Sequence, residues 1–178
     1  MRQLLLLRHA KSSWDDPDLP DHARPLNARG KRAAAVMAAV MQDLGLAPDI
    51  VLVSSARRTL QTLEAMTPLP DSPMIEPLDD LYLATWQRML DILRTVPETA
   101  RSVMLIGHNP GMHDLALSLA GAEAMERGGA PGTRRLAGGY PTAALAEFSV
   151  PSTWKGLEAG QARLVRFIAP NDLPEMAT

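Results

Sequence analysis

The feature that most constrains the fold is the run of four leucines at residues 4–7, which ends directly in Arg8 and His9. A stretch without a polar residue is typical of a strand buried on both faces, as in a sheet covered by helices. Open α/β sheets bind their ligands beyond the carboxyl ends of such strands. Residues 2–8 are therefore expected to form a buried strand that carries functional groups at its carboxyl end.

The rest of the chain alternates between helix and strand patterns. Helices are predicted from residue 27 to near Gly45, over 55–66 with Ser54 or Ser55 as the N-cap, over 85–96 and over 111–121. Apolar runs at 49–54 and 101–107 predict two further strands. Two last strands are predicted at 142–150 and 161–170, and the glycine- and arginine-rich stretch 121–139 is interpreted as a loop.

Strands that are separated by helices predict a mostly parallel sheet with helices on both faces, and the last two strands predict an antiparallel edge. The expected fold class is therefore a three-layer α/β/α sandwich. A length of 178 residues, with 46% apolar and 21% charged residues, suits one domain spanning residues 1–178.

Composition excludes several classes of function. A net charge of −2 provides no overall basic field for nucleic acid, so any anion must be bound by local cations. The absence of cysteine excludes disulfides, thiolate zinc sites and a cysteine nucleophile. The leucine run is too short for a signal peptide, and no apolar stretch approaches the ~18 residues of a membrane span. A cytoplasmic protein without a membrane partner is expected.

Cationic and imidazole side chains follow three of the predicted strands. Because the carboxyl ends of parallel strands meet at one edge of the sheet, these side chains are expected to share a pocket. Guanidinium groups bind phosphate oxygens through paired hydrogen bonds, and a helix beginning at Pro110 would add backbone N–H donors. The pattern predicts a phosphoryl-binding pocket. The candidate residues are Arg8, His9, Arg57, Arg58, His108 and Asn109.

Five ordered blocks carry a family resemblance: "LLLLRHAKSSW", "RPLNARG", "VLVSSARRTLQTL", "DDLYLA" and "LIGHNPGMHDLAL". Their order and spacing resemble the histidine phosphatase superfamily, and within it the small SixA-type phosphohistidine phosphatases. The resemblance covers nearly the whole chain and implies a phosphoglycerate mutase-like fold.

The resemblance also implies roles for individual residues. His9 matches the nucleophile that becomes the phosphohistidine intermediate, and Arg8 matches the adjacent phosphate clamp. Arg58 matches the second clamp better than Arg57 does, because it stands three residues before the "QT" of "RTLQT". His108 in "GHN" matches the second histidine, and Asn109 next to it is a candidate phosphate ligand.

Arg24 corresponds to an arginine that can reach the phosphate in SixA-like proteins. An alternative interpretation is a salt bridge to an acidic residue of its own loop. The remaining histidines, His22 and His113, are expected to be ordinary polar groups, and Lys11 a solvated loop residue. The acidic candidates for pairing with Arg24 are Asp15, Asp16, Asp18 and Asp21.

The proton donor of the family is an acid three residues before a tyrosine, and the corresponding residues here are Asp79 and Tyr82. Asp80 and Glu76 are alternatives. An ordinary Asp, with a pKa of about 3.9, is mostly ionised at neutral pH and is a poor acid there. An imidazole leaving group, with a pKa of about 6.5, needs less protonation than an alkoxide, which favours phosphohistidine as the substrate.

The implied chemistry requires a neutral histidine whose second nitrogen is held by a hydrogen bond, here expected to go to a backbone carbonyl. Guanidinium groups then stabilise the transferring phosphoryl group, so neither a metal nor another cofactor is required.

Three functions are compatible with these residues. The first is SixA-like removal of phosphate from phosphohistidine in a protein. The second is the same chemistry on a small phosphorylated metabolite or nucleotide. The third is a non-catalytic phosphate-binding module with this fold.

Overall fold

The computed structural model describes residues 1–176, and the last two residues of the predicted domain, 177 and 178, lie outside the described residues. One six-stranded sheet forms the centre of the molecule. Its strands are β1 (Arg2–Arg8), β2 (Ile50–Ser54), β3 (Met74–Leu78), β4 (Ser102–Gly107), β5 (Leu145–Val150) and β6 (Arg163–Ile168).

The strand order is β3-β2-β4-β1-β5-β6. The first four of these strands are parallel, whereas β5 runs antiparallel to both β1 and β6. The predicted mostly parallel sheet with an antiparallel edge is therefore confirmed. Because β1 and β4 are neighbours, the segments that follow their carboxyl ends lie side by side.

Both faces of the sheet are covered, as the three-layer prediction requires. The helices are α1 (Ala28–Asp43), α2 (Arg57–Met66), α3 (Trp86–Leu93), α4 (Gly111–Ala120), α5 (Ala122–Arg127) and α6 (Thr133–Gly138). Leu4 and Leu6 pack into one apolar cluster, with α3 and α4, and Leu5 and Leu7 pack into the other, with α1 and α2. The unbroken leucine run thus contributes side chains to the apolar cores on both faces of the sheet.

Local signals explain where the first helices begin. The side chain of Asn27 accepts a hydrogen bond from the N–H of Gly30 (2.7 Å) and caps α1. The prediction that Ser54 or Ser55 caps α2 was wrong, because Ala56 occupies the N-cap and no side chain caps that helix. The hydroxyls of both serines instead contact histidine rings.

Two regions differ from the sequence prediction. The segment 121–139, interpreted as a loop, contains the short helices α5 and α6, whose ends are glycines with positive φ angles. Residues 74–78, to which the pattern assigned no element, form the edge strand β3. Within residues 1–176, no helix has the length and apolar character needed to cross a membrane.

Candidate active site

The carboxyl ends of β1 and β4 and the start of α2 surround a pocket with a volume of about 350 Å³. It brings together six of the side chains that the sequence identified and adds others that it did not. The pocket is lined by Arg8, His9, Lys11, Ser12, Trp14, Arg24, Arg58, Leu83, His108, Asn109 and Thr142.

His9 follows β1 and is nearly fully buried. Its Nδ1–H donates to the carbonyl oxygen of Ala10 (2.7 Å), which confirms the predicted backbone partner and leaves Nε2 as the nitrogen with a free lone pair. Burial is the main cause that lowers the pKa of His9 to about 4, and the charges of Arg8 and Arg58 act in the same direction. The ring is therefore neutral and nucleophilic at pH 7.

The loop that holds His9 is fixed from two sides. The backbone N–H of His9 donates to the carbonyl of Gly107 (3.1 Å), which ties it to the end of β4. The N–H of Ala10 donates to the hydroxyl of Thr62 (2.9 Å), which ties the next residue to α2. These bonds link the His9 loop to both neighbouring parts of the pocket.

His108, after β4, is the second buried imidazole, and its ring centroid lies 5.3 Å from that of His9. Its Nε2 is hydrogen-bonded to the hydroxyl of Ser54 (2.7 Å), whereas its buried Nδ1 has no hydrogen-bond partner among the described residues. Burial, followed by the nearby His9 and Arg58, lowers the pKa of His108 to about 3. Both rings therefore remain uncharged near neutral pH.

Arg58 and Arg24 share one carboxylate, that of Asp21. The Nη2 of Arg58 lies 3.0 Å from Asp21 Oδ2, and the Nη1 of Arg24 lies 3.2 Å from Asp21 Oδ1. The hydroxyl of Tyr82 also donates to Asp21 Oδ2. This hydrogen bond is the main cause that lowers the pKa of Asp21 to about 2, and Arg58 lowers it further. Asp21 is thus an anion that orients two guanidinium groups.

Arg24 has further partners in the same loop. Its Nε donates to the carbonyl of Ser13 (3.2 Å), its Nη2 donates to the hydroxyl of Ser12 (2.5 Å), and its guanidinium carbon lies 3.2 Å from the ring centroid of Trp14. The salt bridge of the alternative interpretation is present, because Arg24 pairs with one of the predicted loop aspartates. Arg24 also lines the pocket, and its contact with a phosphate stays a prediction.

Arg8 and Asn109 meet at the carbonyl oxygen of Tyr140, just before β5. The Nη1 of Arg8 and the amide Nδ2 of Asn109 each donate to this oxygen at 2.9 Å. Burial and the charge of Arg58 lower the pKa of Arg8 from its ordinary value. The amide oxygen of Asn109 accepts from the N–H of His113 (3.2 Å). Asn109 therefore lines the pocket with both ends of its amide engaged by the protein.

The predicted acids lie elsewhere. Asp79 is exposed at the turn after β3 and does not line the pocket. Glu76 and Asp80 line a separate cavity beside α3. Among residues 1–176, none of the side chains that line the pocket is a carboxylate, and the nearby Asp21 is ionised.

The other residues named from the sequence lie outside the pocket, except Lys11, whose exposed side chain is at its mouth. Arg57 donates to the carbonyl of Ala23, so the preference for Arg58 agrees with the geometry. The histidines interpreted as ordinary polar groups contact a serine hydroxyl and a backbone carbonyl. These two histidines are His22 and His113. Three arginines of segment 121–139 also lie outside the pocket, namely Arg127, Arg134 and Arg135.

Several site residues escaped the sequence analysis. Ser54 ends β2 and was interpreted only as a helix cap, although its position at a strand end was a usable signal. Asp21 was considered only as a partner of Arg24, and Tyr82 only as a marker for Asp79. Trp14 stands five residues after His9, and no spacing rule indicated it. Within residues 1–176, no group of three or more His, Asp or Glu side chains has a geometry suited to a metal ion.

Comparison with protein families gives a match over residues 4–102 to the model described as "Histidine phosphatase superfamily (branch 1)". An uncharacterized protein of Mycobacterium tuberculosis is 33% identical over 164 residues, which cover 92% of this chain and 99% of that protein. An uncharacterized chloroplastic protein of Arabidopsis thaliana is 37% identical over 133 residues. Those residues cover 68% of this chain and 60% of the Arabidopsis protein.

A solved structure with the same architecture is that of a proposed phosphohistidine phosphatase SixA from Agrobacterium tumefaciens. It is 31% identical to this chain, with a TM-score of 0.80, and the match covers 95% of this chain and 98% of that one. The family match therefore includes Arg8 at the end of β1 and the His9 that follows it.

Proposed function

Because the chain belongs to the histidine phosphatase superfamily and is a phosphatase with the expected phosphoglycerate mutase-like fold, we propose that it removes phosphate from phosphohistidine in a protein. The proposal takes His9 as the nucleophile, Arg8, Arg24 and Arg58 as the phosphate-binding cations, and His108 as the second catalytic imidazole. The similarity to a SixA structure supports the substrate class.

The observation that carries this proposal is the lack of an acid among the described residues that line the pocket. Hydrolysis of an alkyl phosphate expels an alkoxide, which needs a proton from a well-placed acid. Phosphohistidine whose second ring nitrogen is protonated expels a neutral imidazole. Because an imidazole has a pKa of about 6.5, that nitrogen can take its proton from solvent before the P–N bond breaks. A pocket of cations and neutral imidazoles is therefore better suited to breaking a P–N bond than a P–O bond.

In the first step, the lone pair on His9 Nε2 attacks the phosphorus atom while the P–N bond to the substrate imidazole breaks. The electron pair of that bond goes to the substrate imidazole, which leaves as a neutral ring because its second nitrogen already carries a proton from solvent. The Nδ1–H bond to the Ala10 carbonyl stabilises the positive charge that develops on the His9 ring. The product of this step is a phosphorylated His9.

The transferring phosphoryl group spreads negative charge over three equatorial oxygens, and three buried or half-buried guanidinium groups line the pocket around His9. Asp21 holds two of these groups in place through hydrogen bonds to both of its carboxylate oxygens. The cations therefore need little reorganisation as charge develops, which is the main source of electrostatic catalysis. This scheme uses no metal.

In the second step, a water oxygen attacks the phosphorus of phosphorylated His9, and the P–Nε2 bond breaks with its electron pair returning to the ring. One proton of the water stays on the released phosphate, the other passes to solvent, and His9 returns to its neutral form, which its lowered pKa favours. We assign to His108, whose ring centroid is 5.3 Å from that of His9, a contact with the phosphoryl oxygens in both steps.

The test is phosphate release, with EDTA present, from a phosphohistidine-bearing protein and from a panel of small phosphomonoesters and nucleotides. We expect His9-dependent release that is fastest from phosphohistidine, and inhibition by tungstate. His9→Ala should abolish turnover while tungstate still binds, because the arginines remain.

His22→Ala is the matched control, since it removes an exposed histidine outside the pocket and should retain turnover. Release only from a small ester would support His9 as the nucleophile and would refute phosphohistidine as the substrate. Binding of tungstate without turnover of any substrate would favour the non-catalytic module, and loss of activity in EDTA would indicate a metal enzyme. The roles of Asp79 and Asn109, a cytoplasmic location and a single domain over residues 1–178 stay predictions.

A further inference from the structure

Two large apolar side chains stand exposed at the mouth of the phosphate-binding pocket. Trp14 is 76% exposed and Leu83 is 53% exposed, yet both line the pocket. They come from separate connections, one after β1 and one between β3 and α3. Exposed apolar surface at the rim of a polar cleft is typical of a site that contacts a partner.

Trp14 is held in place rather than loosely exposed. The guanidinium carbon of Arg24 lies 3.2 Å from the centroid of its ring, so one face of the indole is covered by a phosphate-binding cation. Arg24 is itself fixed by Ser12, Ser13 and Asp21. A rigid aromatic ring beside the phosphate position costs little entropy when a ligand packs on it.

Leu83 is also held in an unfavourable conformation. Its φ angle is +48°, in the left-handed region that a branched side chain rarely adopts. The flanking residues fix this turn, because Leu81 is fully buried and the Tyr82 hydroxyl donates to Asp21. A strained backbone that presents an exposed leucine does not stabilise the fold, which points to a role in binding.

We propose that Trp14 and Leu83 form a docking surface for the polypeptide that carries the phosphohistidine, by packing against apolar side chains next to it. This inference rests on the proposed function. The cations of the pocket fix where the phosphoryl group binds, so the residues that flank it in the substrate chain must lie across the mouth, where these two side chains are. A small sugar phosphate or nucleotide would gain little from an exposed leucine and would need polar contacts instead.

The test compares two phosphohistidine peptides that differ only in the neighbours of the phosphohistidine, which are leucine in one and glycine in the other. Free phosphohistidine is the third substrate. For the wild-type protein, we expect kcat/KM about tenfold higher for the leucine peptide than for the glycine peptide, the ratio that burial of an apolar side chain produces. Trp14→Ala and Leu83→Ala should each reduce this ratio to about threefold or less.

Leu44→Ala is the matched control, since Leu44 is 40% exposed and does not line the pocket, and it should keep the wild-type ratio. Equal kcat/KM for the two peptides, or an unchanged ratio in both rim variants, would overturn the docking surface. If the protein hydrolyses phosphohistidine but shows no preference for the leucine peptide over the glycine peptide, this inference fails while the proposed function stands. If none of the three substrates releases phosphate, the proposed function fails and the docking surface fails with it.

Discussion

The two buried imidazoles of the pocket should make the protein lose stability in mild acid. His9 and His108 have pKa values of about 4 and about 3 in the folded protein, against 6.5 in an unfolded chain. The unfolded chain therefore binds more protons than the folded one in the pH range between these values. The stability contribution of each ring is complete above pH ~6.5 and is lost as the pH falls.

The size of the loss depends little on the folded-state values. At about pH 5, protonation of each histidine in the unfolded chain lowers the free energy of unfolding by RT ln(1 + 10^1.5), which is about 2 kcal/mol. This holds as long as the pKa of that histidine in the folded protein is well below 5. At about pH 7.5 the same term is close to zero. The two rings together should lower the free energy of unfolding by about 4 kcal/mol, a large part of the ~5–15 kcal/mol of a typical domain. Asp21, with a folded pKa of about 2, does not contribute in this range.

The assay is urea unfolding at about pH 7.5 and about pH 5 for the wild type and for His9→Gln and His108→Gln. Each substitution should remove about 2 kcal/mol from the pH-dependent difference, whatever its effect on stability at neutral pH. His22→Gln, which removes an exposed ring, should keep the wild-type difference. If the wild type and both buried-ring variants show the same difference between the two pH values, the reasoning is refuted.

Two further predictions concern residues behind the pocket. Ser54→Ala removes the 2.7 Å hydrogen bond to His108 Nε2 and should lower kcat by about tenfold or more with little change in KM, whereas Ser55→Ala should keep kcat near the wild-type value. A wild-type kcat in Ser54→Ala would show that this bond does not position the ring. Gly30→Ala would place a Cβ 2.1 Å from the backbone oxygen of Lys11 and should lower the free energy of unfolding by ~3 kcal/mol, measured by urea unfolding. An unchanged value would show that this loop moves freely.

The sequence was most informative where function and strand geometry coincide. Arg8, His9 and His108 follow apolar runs directly, so the rule that parallel strands present their carboxyl ends at one edge placed them together. Arg58 followed from the spacing of a family motif. The placement of Arg8, His9 and His108 needed only the order of elements along the chain and no knowledge of how the loops fold.

Residues that act through contacts distant in the sequence were harder to predict. Asp21 gains its importance from Arg58 and Tyr82, which are 37 and 61 positions away. Serine is a residue type that often caps helices, so the sequence indicated that role for Ser54. Only the pairing of β2 with β4 shows that its hydroxyl reaches the His108 imidazole. The segment 121–139 was interpreted as a loop because it is rich in glycine. In the structure, glycines with positive φ angles lie at the ends of two short helices.

The strand order has a consequence for how the chain is made. Leu4 in β1 pairs with Val103 on one side and with Phe148 on the other. Ribosomes add about 5–20 residues per second, so β1 waits about 5–20 s for its first strand partner. During that time the four leucines and the His9 that follows them have no strand to pair with. β1 thus stays unpaired for longer than β2, whose partner β3 begins at Met74.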